Sequence, residues 1–220
     1  MIEARKIKEK LVEYGKKIAE KGLAVGPGGN ISARVGDIVY LSPSGYAFEE
    51  LVPEQYVGVN LQTGEVVDGD LKPTCEISMH LGCYLIRKDI QAVVHTHPPI
   101  ATGLISAGVE IKPMFPDFVA YVGEAPVIDY VIPAGSEIRE AVTGVIKEHN
   151  AVLLKNHGAV TVGANLKEAF YRAQIIEDAA RSLMASLVAG KPRFLTKSEQ
   201  EGIRNLEAED YRRTLLKREK

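Results

Sequence analysis

The sequence predicts a layered α/β domain, three layers in the order α/β/α, around a central mixed, mostly antiparallel sheet. Three observations support this. Helical and strand-like patterns alternate along the chain, the early strand-like stretches are short and hairpin-like, and no linker, internal repeat or low-complexity tract divides the 220 residues. Interleaved elements argue for helices stacked on a sheet. Short strands joined by tight turns argue against a purely parallel one. One substantial core is expected at this length, so 1–220 is read as a single domain.

Ile7, Leu11, Tyr14 and Ile18 fall at steps of four, three and four within residues 3–21, lining one stripe of an amphipathic helix that Gly22 ends. Gly26-Pro27-Gly28-Gly29-Asn30 follows, then strand-like stretches at 38–41 and 56–61, with the turn Ser42-Pro43-Ser44-Gly45 between them. Leu71-Lys72-Pro73-Thr74-Cys75 leads into a helical pattern at 76–87. Gln91-Ala-Val-Val-His95 is a β-branched apolar run, and Pro98-Pro99 turns the chain into an apolar helix at 100–107. Strands fit 126–131 and 151–154, separated by a helix for which Ser136 is the candidate cap. Asn165 with Glu168 is close to a capping box and opens a long helix whose Phe170, Ala173, Ile176, Ala180, Leu183 and Leu187 share a face. Gly190 and Pro192 stop it. Thr196 with Glu199 repeats the capping signal ahead of a charged tail, 196–220, ending Lys-Arg-Glu-Lys.

Composition excludes several classes. Hydrophobic residues at 45% and charged residues at 25% are ordinary for a globular enzyme and argue against whole-chain disorder. A net charge of −2 leaves no electrostatic footprint for nucleic acid, so no DNA or RNA partner is expected. Cys75 and Cys83 cannot build a disulfide framework, and no basic-then-apolar leader pattern precedes the first helix, so a cytoplasmic location is expected. No run approaches the ~18 apolar residues that a membrane span requires, so no membrane association is expected either.

Chemistry concentrates in His95-Thr96-His97, in His157 of Asn156-His157-Gly158, and in Glu76. Three imidazoles and a carboxylate can give a divalent metal four protein ligands, or three plus an exchangeable position. A strand repeats its facing every two residues, so His95 and His97 project from one side, at a strand exit where binding groups collect. A single histidine beside a strand is more often a packed or solvated residue than a ligand. His80 lies four residues after Glu76 on one helix face and reads as a satisfied structural histidine, His149 as a solvated one, and Cys83 as packed in the core. Gly28-Gly29-Asn30, Ser44-Gly45 and Thr74-Cys75 offer unobstructed N–H groups and short hydroxyls that suit a phosphate, the last of them where a helix begins. None matches the P-loop or dinucleotide fingerprint.

Gly-Gly-Asn-Ile-Ser, Ser-Pro-Ser-Gly, Pro-Thr-Cys-Glu, His-Thr-His-Pro and Lys-Asn-His-Gly, in this order over about 5–190, resemble the class II aldolase/adducin family, and within it the fuculose-1-phosphate aldolases. The resemblance implies Zn2+ on His95, His97 and His157. Glu76 would be a further ligand when substrate is absent and the catalytic acid/base when it is present. It also implies a substrate phosphate on Gly29, Asn30, Ser44, Gly45, Thr74 and Cys75, where the family commonly has serine in place of Cys75. A thiol is the weaker donor. The implied reaction is reversible cleavage of a ketose 1-phosphate, L-fuculose 1-phosphate first, into dihydroxyacetone phosphate and L-lactaldehyde. A second acid at the aldehyde oxygen is implied from a neighbouring subunit or a tail, for which Tyr211, Tyr121 and Asp117 are the candidates. A homotetramer with active sites between subunits is implied too.

Rival activities bear on the same residues. Pentulose-phosphate 4-epimerases of this family resemble the site with aspartate where Glu76 stands, which favours the aldolase. Methylthioribulose-phosphate dehydratase resembles it more closely. Lys155, on the face of His157 if the strand continues, would suit a Schiff-base aldolase, although nothing in the sequence supplies a desolvating pocket. Three histidines could instead serve a hydrolase. Adducin's head domain resembles the fold as a scaffold, yet the three histidines and Glu76 are all present here.

Overall fold

A computed structural model describes residues 2–217; Met1 and residues 218–220, the charged end of the expected tail, lie outside the described residues. Helix α1 (Ile2–Glu20) buries Leu11, Tyr14 and Ile18 on the stripe that their spacing sets. The strands are β1 (Asn30–Val35), β2 (Ile38–Leu41), β3 (Val57–Asn60), β4 (Val66–Asp68), β5 (Ala92–Thr96), β6 (Val127–Ile128), β7 (Ala151–Leu154) and β8 (Gly158–Gly163). They form one sheet in the order β4-β3-β2-β1-β5-β8-β7-β6. Among the described residues only β6 and β7 pair in parallel; the other neighbours are antiparallel. The mixed, mostly antiparallel sheet is as expected.

Alternation along the strands builds the layers. Ala92 and Val94 of β5 pack with Leu11 and Ile18 of α1 and with Phe170 and Ala173 of α5 (Leu166–Ala189). Val93, between them, packs on the opposite face with Met79, Cys83 and Tyr84 of α2 (Ile77–Ile86) and with Ile138 and Val142 of α4 (Ser136–Ile146). Helix α3 (Pro99–Ser106) joins α5 over β7 and β8, where Ala101, Ile105 and Leu183 meet Ala151, Leu153 and Ala159. His95, two residues beyond Val93, therefore faces α2.

The chain ends differ in how far they followed expectation. Asn165 caps α5 by accepting the Glu168 N–H at 2.8 Å, but Glu168 reaches the N–H of Ala164 at 2.6 Å, one residue short of a capping box. Thr196 and Glu199 do form the reciprocal box that opens α6 (Lys197–Arg204), and α7 (Glu207–Lys217) follows. Ser136 caps nothing. It is already the first helical residue, and the cap position is Gly135 at φ 91°, which has no side chain to offer. The strand expected at 126–131 pairs only over Val127–Ile128, because β7 offers a partner along just those two residues. A π-helical turn, Phe118–Val122, lies between α3 and β6. Among the described residues no helix is long and apolar enough to cross a membrane.

Candidate active site

The site forms where β5 ends. Antiparallel pairing sets Asn30 of β1 opposite His95, and on the other side His95 opposes Val160 and Thr96 opposes Ala159 of β8. The turn between β7 and β8 carries His157 back over this end. Two glycines make the approach possible. A Cβ on Gly158 would overlap the Thr96 carbonyl oxygen and sit 2.9 Å from His97 Cδ2, and one on Gly29, at φ 73°, would sit 2.8 Å from the His95 carbonyl oxygen. His97, just past the strand, is tied by its N–H to the Leu23 carbonyl at 2.8 Å.

Three ring nitrogens converge. His95 Nε2 lies 3.2 Å from His157 Nε2 and 3.1 Å from His97 Nε2. His95 Nδ1 donates to the Ala159 carbonyl at 3.0 Å, which leaves Nε2 as the lone pair toward its neighbours. One lone pair cannot accept two donors well, whereas a shared cation answers for all three nitrogens. Tetrahedral ligands at Zn–N distances of ~2.0–2.1 Å stand about 3.3 Å apart, close to this spacing. Burial first, then the neighbouring imidazoles, pushes His95 well below its usual range. His97 is lowered by burial and then by His157, and His157 by burial. Neutral imidazole is the form that binds metal.

Glu76, at the cap position of α2 and buried, completes the cluster. Its Oε2 lies 3.3 Å from His95 Nε2 and accepts an N–H of Asn30 Nδ2 at 2.8 Å. Its Oε1 lies 3.7 Å from His157 Nε2 and has no hydrogen-bond partner. A buried carboxylate oxygen left unpaired beside three neutral imidazoles fits a divalent cation. The Glu76 N–H is held by the Thr74 hydroxyl at 3.3 Å, fixing the carboxylate at the helix start.

The three small-residue segments are brought together by backbone pairing. The Thr74 N–H meets the Ser42 carbonyl at 3.0 Å, the Ser44 N–H meets that of Lys72 at 2.9 Å, and the Ser42 N–H meets that of Ile31 at 3.0 Å. Ser44, Gly45 and Cys75 are exposed along this seam, Gly29 is half-buried, and Asn30 and Thr74 are buried. Tyr121 and Asp117 stand elsewhere, in a cleft with Tyr171, Gln174 and Arg212 of α7 that shares no residue with the histidine cluster. Arg212 lies 3.5 Å from Asp117 and over the Tyr121 ring, while Tyr211 is 65% exposed.

Lys155 does not join the site. Its strand ends at Leu154, and the ammonium pairs with Asp129 at 2.6 Å on the surface. His149 is half-buried, 3.9 Å from Glu124. Cys83 is buried, its thiol pushed up to about 12 by burial. His80 is buried and satisfied by hydrogen bonds, as expected. What the sequence reading missed is its company. Glu76, His80 and Tyr84 form an i, i+4, i+8 stripe on α2 over Asn30 and Ser32 of β1, and that polar spacing on two buried elements was the available signal.

Neutral imidazoles with a buried carboxylate among them make this a metalloenzyme site. Residues 9–184 match the Class II Aldolase and Adducin N-terminal domain, and the chain belongs to this family. It is 38% identical over 202 residues to the 5-deoxy-D-ribulose 1-phosphate aldolase of Bacillus thuringiensis serovar kurstaki, covering 90% of this chain and 94% of that one. It is 32% identical over 204 residues to the 3-oxo-tetronate 4-phosphate decarboxylase of Haemophilus influenzae, covering 90% and 96%. A solved L-fuculose 1-phosphate aldolase superposes with a TM-score of 0.85 at 29% identity, over 90% of this chain and 94% of that one.

Proposed function

We propose that the protein is a zinc-dependent aldolase that reversibly cleaves a ketose 1-phosphate into dihydroxyacetone phosphate and a short aldehyde. The observation that carries this reading is Glu76, a buried carboxylate whose Oε1 is unpartnered within the reach of three neutral imidazoles. L-Fuculose 1-phosphate, the first choice from the motifs, now shares that place with 5-deoxy-D-ribulose 1-phosphate, the substrate named for the relative 38% identical. Both sugars carry phosphate on C1 and end in a methyl group, so the aldehyde released is lactaldehyde or acetaldehyde.

His95, His97 and His157 hold the cation, with Glu76 as the further ligand in the resting state. When bound, the cation supplies Lewis-acid stabilisation, several kcal/mol, to the charge that develops at C2 oxygen as the C3–C4 bond breaks. Glu76 delivers a proton to C3 in cleavage and removes it in condensation. The seam of Gly29, Ser44, Gly45, Thr74 and Cys75 binds the phosphate, with the second amide hydrogen of Asn30 available to it. The N–H at Cys75 matters more than its thiol. Cleavage also requires a base for the C4 hydroxyl proton, which returns as an acid in condensation. Tyr121, Asp117 and Tyr211 are the candidates, and because they lie outside their own chain's site, they would act on a neighbouring copy's in a homotetramer.

The relative in Haemophilus influenzae supports a second reading as a decarboxylase. A 3-oxo-4-phosphate acid losing its C1 carboxylate leaves the same charge on the carbon beside a ketone, so the histidines and Glu76 serve unchanged. Carbon dioxide departs with no hydroxyl proton to remove. Purified protein with zinc is incubated with the two ketose 1-phosphates and with 3-oxo-tetronate 4-phosphate, following aldehyde and carbon dioxide separately. Aldehyde with stoichiometric dihydroxyacetone phosphate is expected; carbon dioxide alone selects the second reading, and neither product from any of the three sinks both.

A further inference from the structure

Behind Glu76 and Asn30 runs a chain of buried polar side chains, His80, Ser32 and Tyr84, that no step above uses. Asn30 Oδ1 meets His80 Nε2 at 2.5 Å, His80 Nδ1 meets Ser32 Oγ at 2.7 Å, and Ser32 Oγ meets Tyr84 Oη at 2.8 Å. Ser32, His80 and Tyr84 have no exposed surface, and Asn30 is 6% exposed. Elements of different kinds build it: His80 and Tyr84 follow Glu76 by four and eight residues on α2, and Asn30 and Ser32 alternate on β1.

Proton accounting fixes its direction. Asn30 Nδ2 donates to Glu76 Oε2, so Asn30 presents its carbonyl to His80. His80 Nε2 must then donate. The ring is fully buried, where an unpaired charge is costly, so it is neutral and its Nδ1 accepts the Ser32 hydroxyl, which in turn accepts from Tyr84. Turning the Asn30 amide over would set its oxygen against a carboxylate oxygen and reverse every bond behind it.

Resting on the reading of Glu76 as acid/base and ligand, we infer that His80, backed by Ser32 and Tyr84, is a positioning residue. It locks the Asn30 amide so that Glu76 Oε2 is held by an N–H while Oε1 stays free of hydrogen bonds. The group is recognised by its chemistry: one neutral imidazole of fixed tautomer between an amide oxygen and a hydroxyl.

Long-range proton–nitrogen spectra of the full chain, with His80 assigned by its loss in His80→Gln, are expected to show a neutral ring protonated on Nε2. A proton on Nδ1 reverses the chain and overturns the inference, whatever the enzyme's substrate. Zinc affinity, measured by competition with a chromophoric chelator, supplies the second arm. His80→Leu is expected to weaken zinc about 10-fold, the scale of losing a ligand's outer partner. His80→Gln, which keeps a donor at the Nε2 position, should stay within about 3-fold of the wild type. In an Asn30→Ala background His80→Leu should cost nothing further, since it acts through that amide. Equal losses in both backgrounds, or a Gln variant as weak as Leu, overturn the inference. Should His80→Leu not fold, Ser32→Ala and Tyr84→Phe take its place, and their losses must likewise vanish when Asn30 is alanine. A wild type that binds no zinc sinks the metal reading, while the tautomer result still decides this one.

Discussion

Glu76 and His157 sit 3.7 Å apart in the cluster yet are separable by substitution. Glu76→Gln keeps the shape and one oxygen, so zinc binding should survive substantially while cleavage falls by roughly 10²–10⁴, the range for a lost acid/base. His157→Ala removes one of three imidazoles and should lose both metal and turnover. Metal analysis beside product assay checks the pair, and a metal-free, fully active His157→Ala protein would remove the mechanism. His80 gives a pH prediction with a defined sign. Its folded pKa of about 3 lies below the ordinary 6.5, so between these values the unfolded chain binds the extra proton. Stability is therefore complete above the unfolded value and is lost as pH falls from there toward the folded one. By pH 5 the loss is about 2 kcal/mol. Urea melts of metal-free protein at pH 7.5 and 5 should show His80→Gln losing that much less than the wild type; equal losses would mean that His80 is not held neutral.

At the scale of elements, two glycines should respond in opposite directions to alanine. Gly158 joins the β7–β8 turn to the end of β5, where a methyl group meets the Thr96 carbonyl and His97 Cδ2. Gly158→Ala is expected to cost ~1–3 kcal/mol by overpacking and to weaken zinc binding, because His157 moves with the turn. Gly144 lies exposed inside α4 with open space around it, and Gly144→Ala should stabilise by up to ~1 kcal/mol. Thermal melts of both variants decide the point. The same contrast shows what the sequence could convey. Helix stripes, the Asn165 and Thr196 caps and β7 are written in local periodicity, and His95 with His97 in the strand period. Strand β1 carries polar Asn30 and Ser32 on its α2-facing side, so no apolar alternation marked it. Strand β8 begins and ends in glycine, which leaves only residues 159–162 to signal a strand, and no element is assigned to it from the sequence. The extended run after Pro126 finds a ladder partner over two residues only, which depends on where β7 ends rather than on its own composition.

The whole molecule poses the question of the second acid. The tail folds onto its own chain: Asn165 Nδ2 donates to the Leu216 carbonyl at 2.9 Å, Leu216 is buried, and Arg212 bridges Glu209 and Asp117. Tyr121 is therefore placed by the tail's docking, while Tyr211 on the outer side of α7 stays exposed. Since the cleft that holds Tyr121 includes neither Glu76 nor a histidine of the cluster, a role for Tyr121 in catalysis requires a second copy of the chain. Closed symmetry would give every site the same neighbour. Light scattering should find a tetramer. Mixing subunits tests the geometry directly: Glu76→Gln and Tyr121→Phe proteins, each nearly inactive, are unfolded together, refolded and assayed for aldehyde release. If sites are shared, some hybrids pair an intact Glu76 with an intact Tyr121 from the adjoining subunit, and activity returns that neither parent has. A mixture no more active than its parents would confine catalysis to one chain and remove Tyr121 from it.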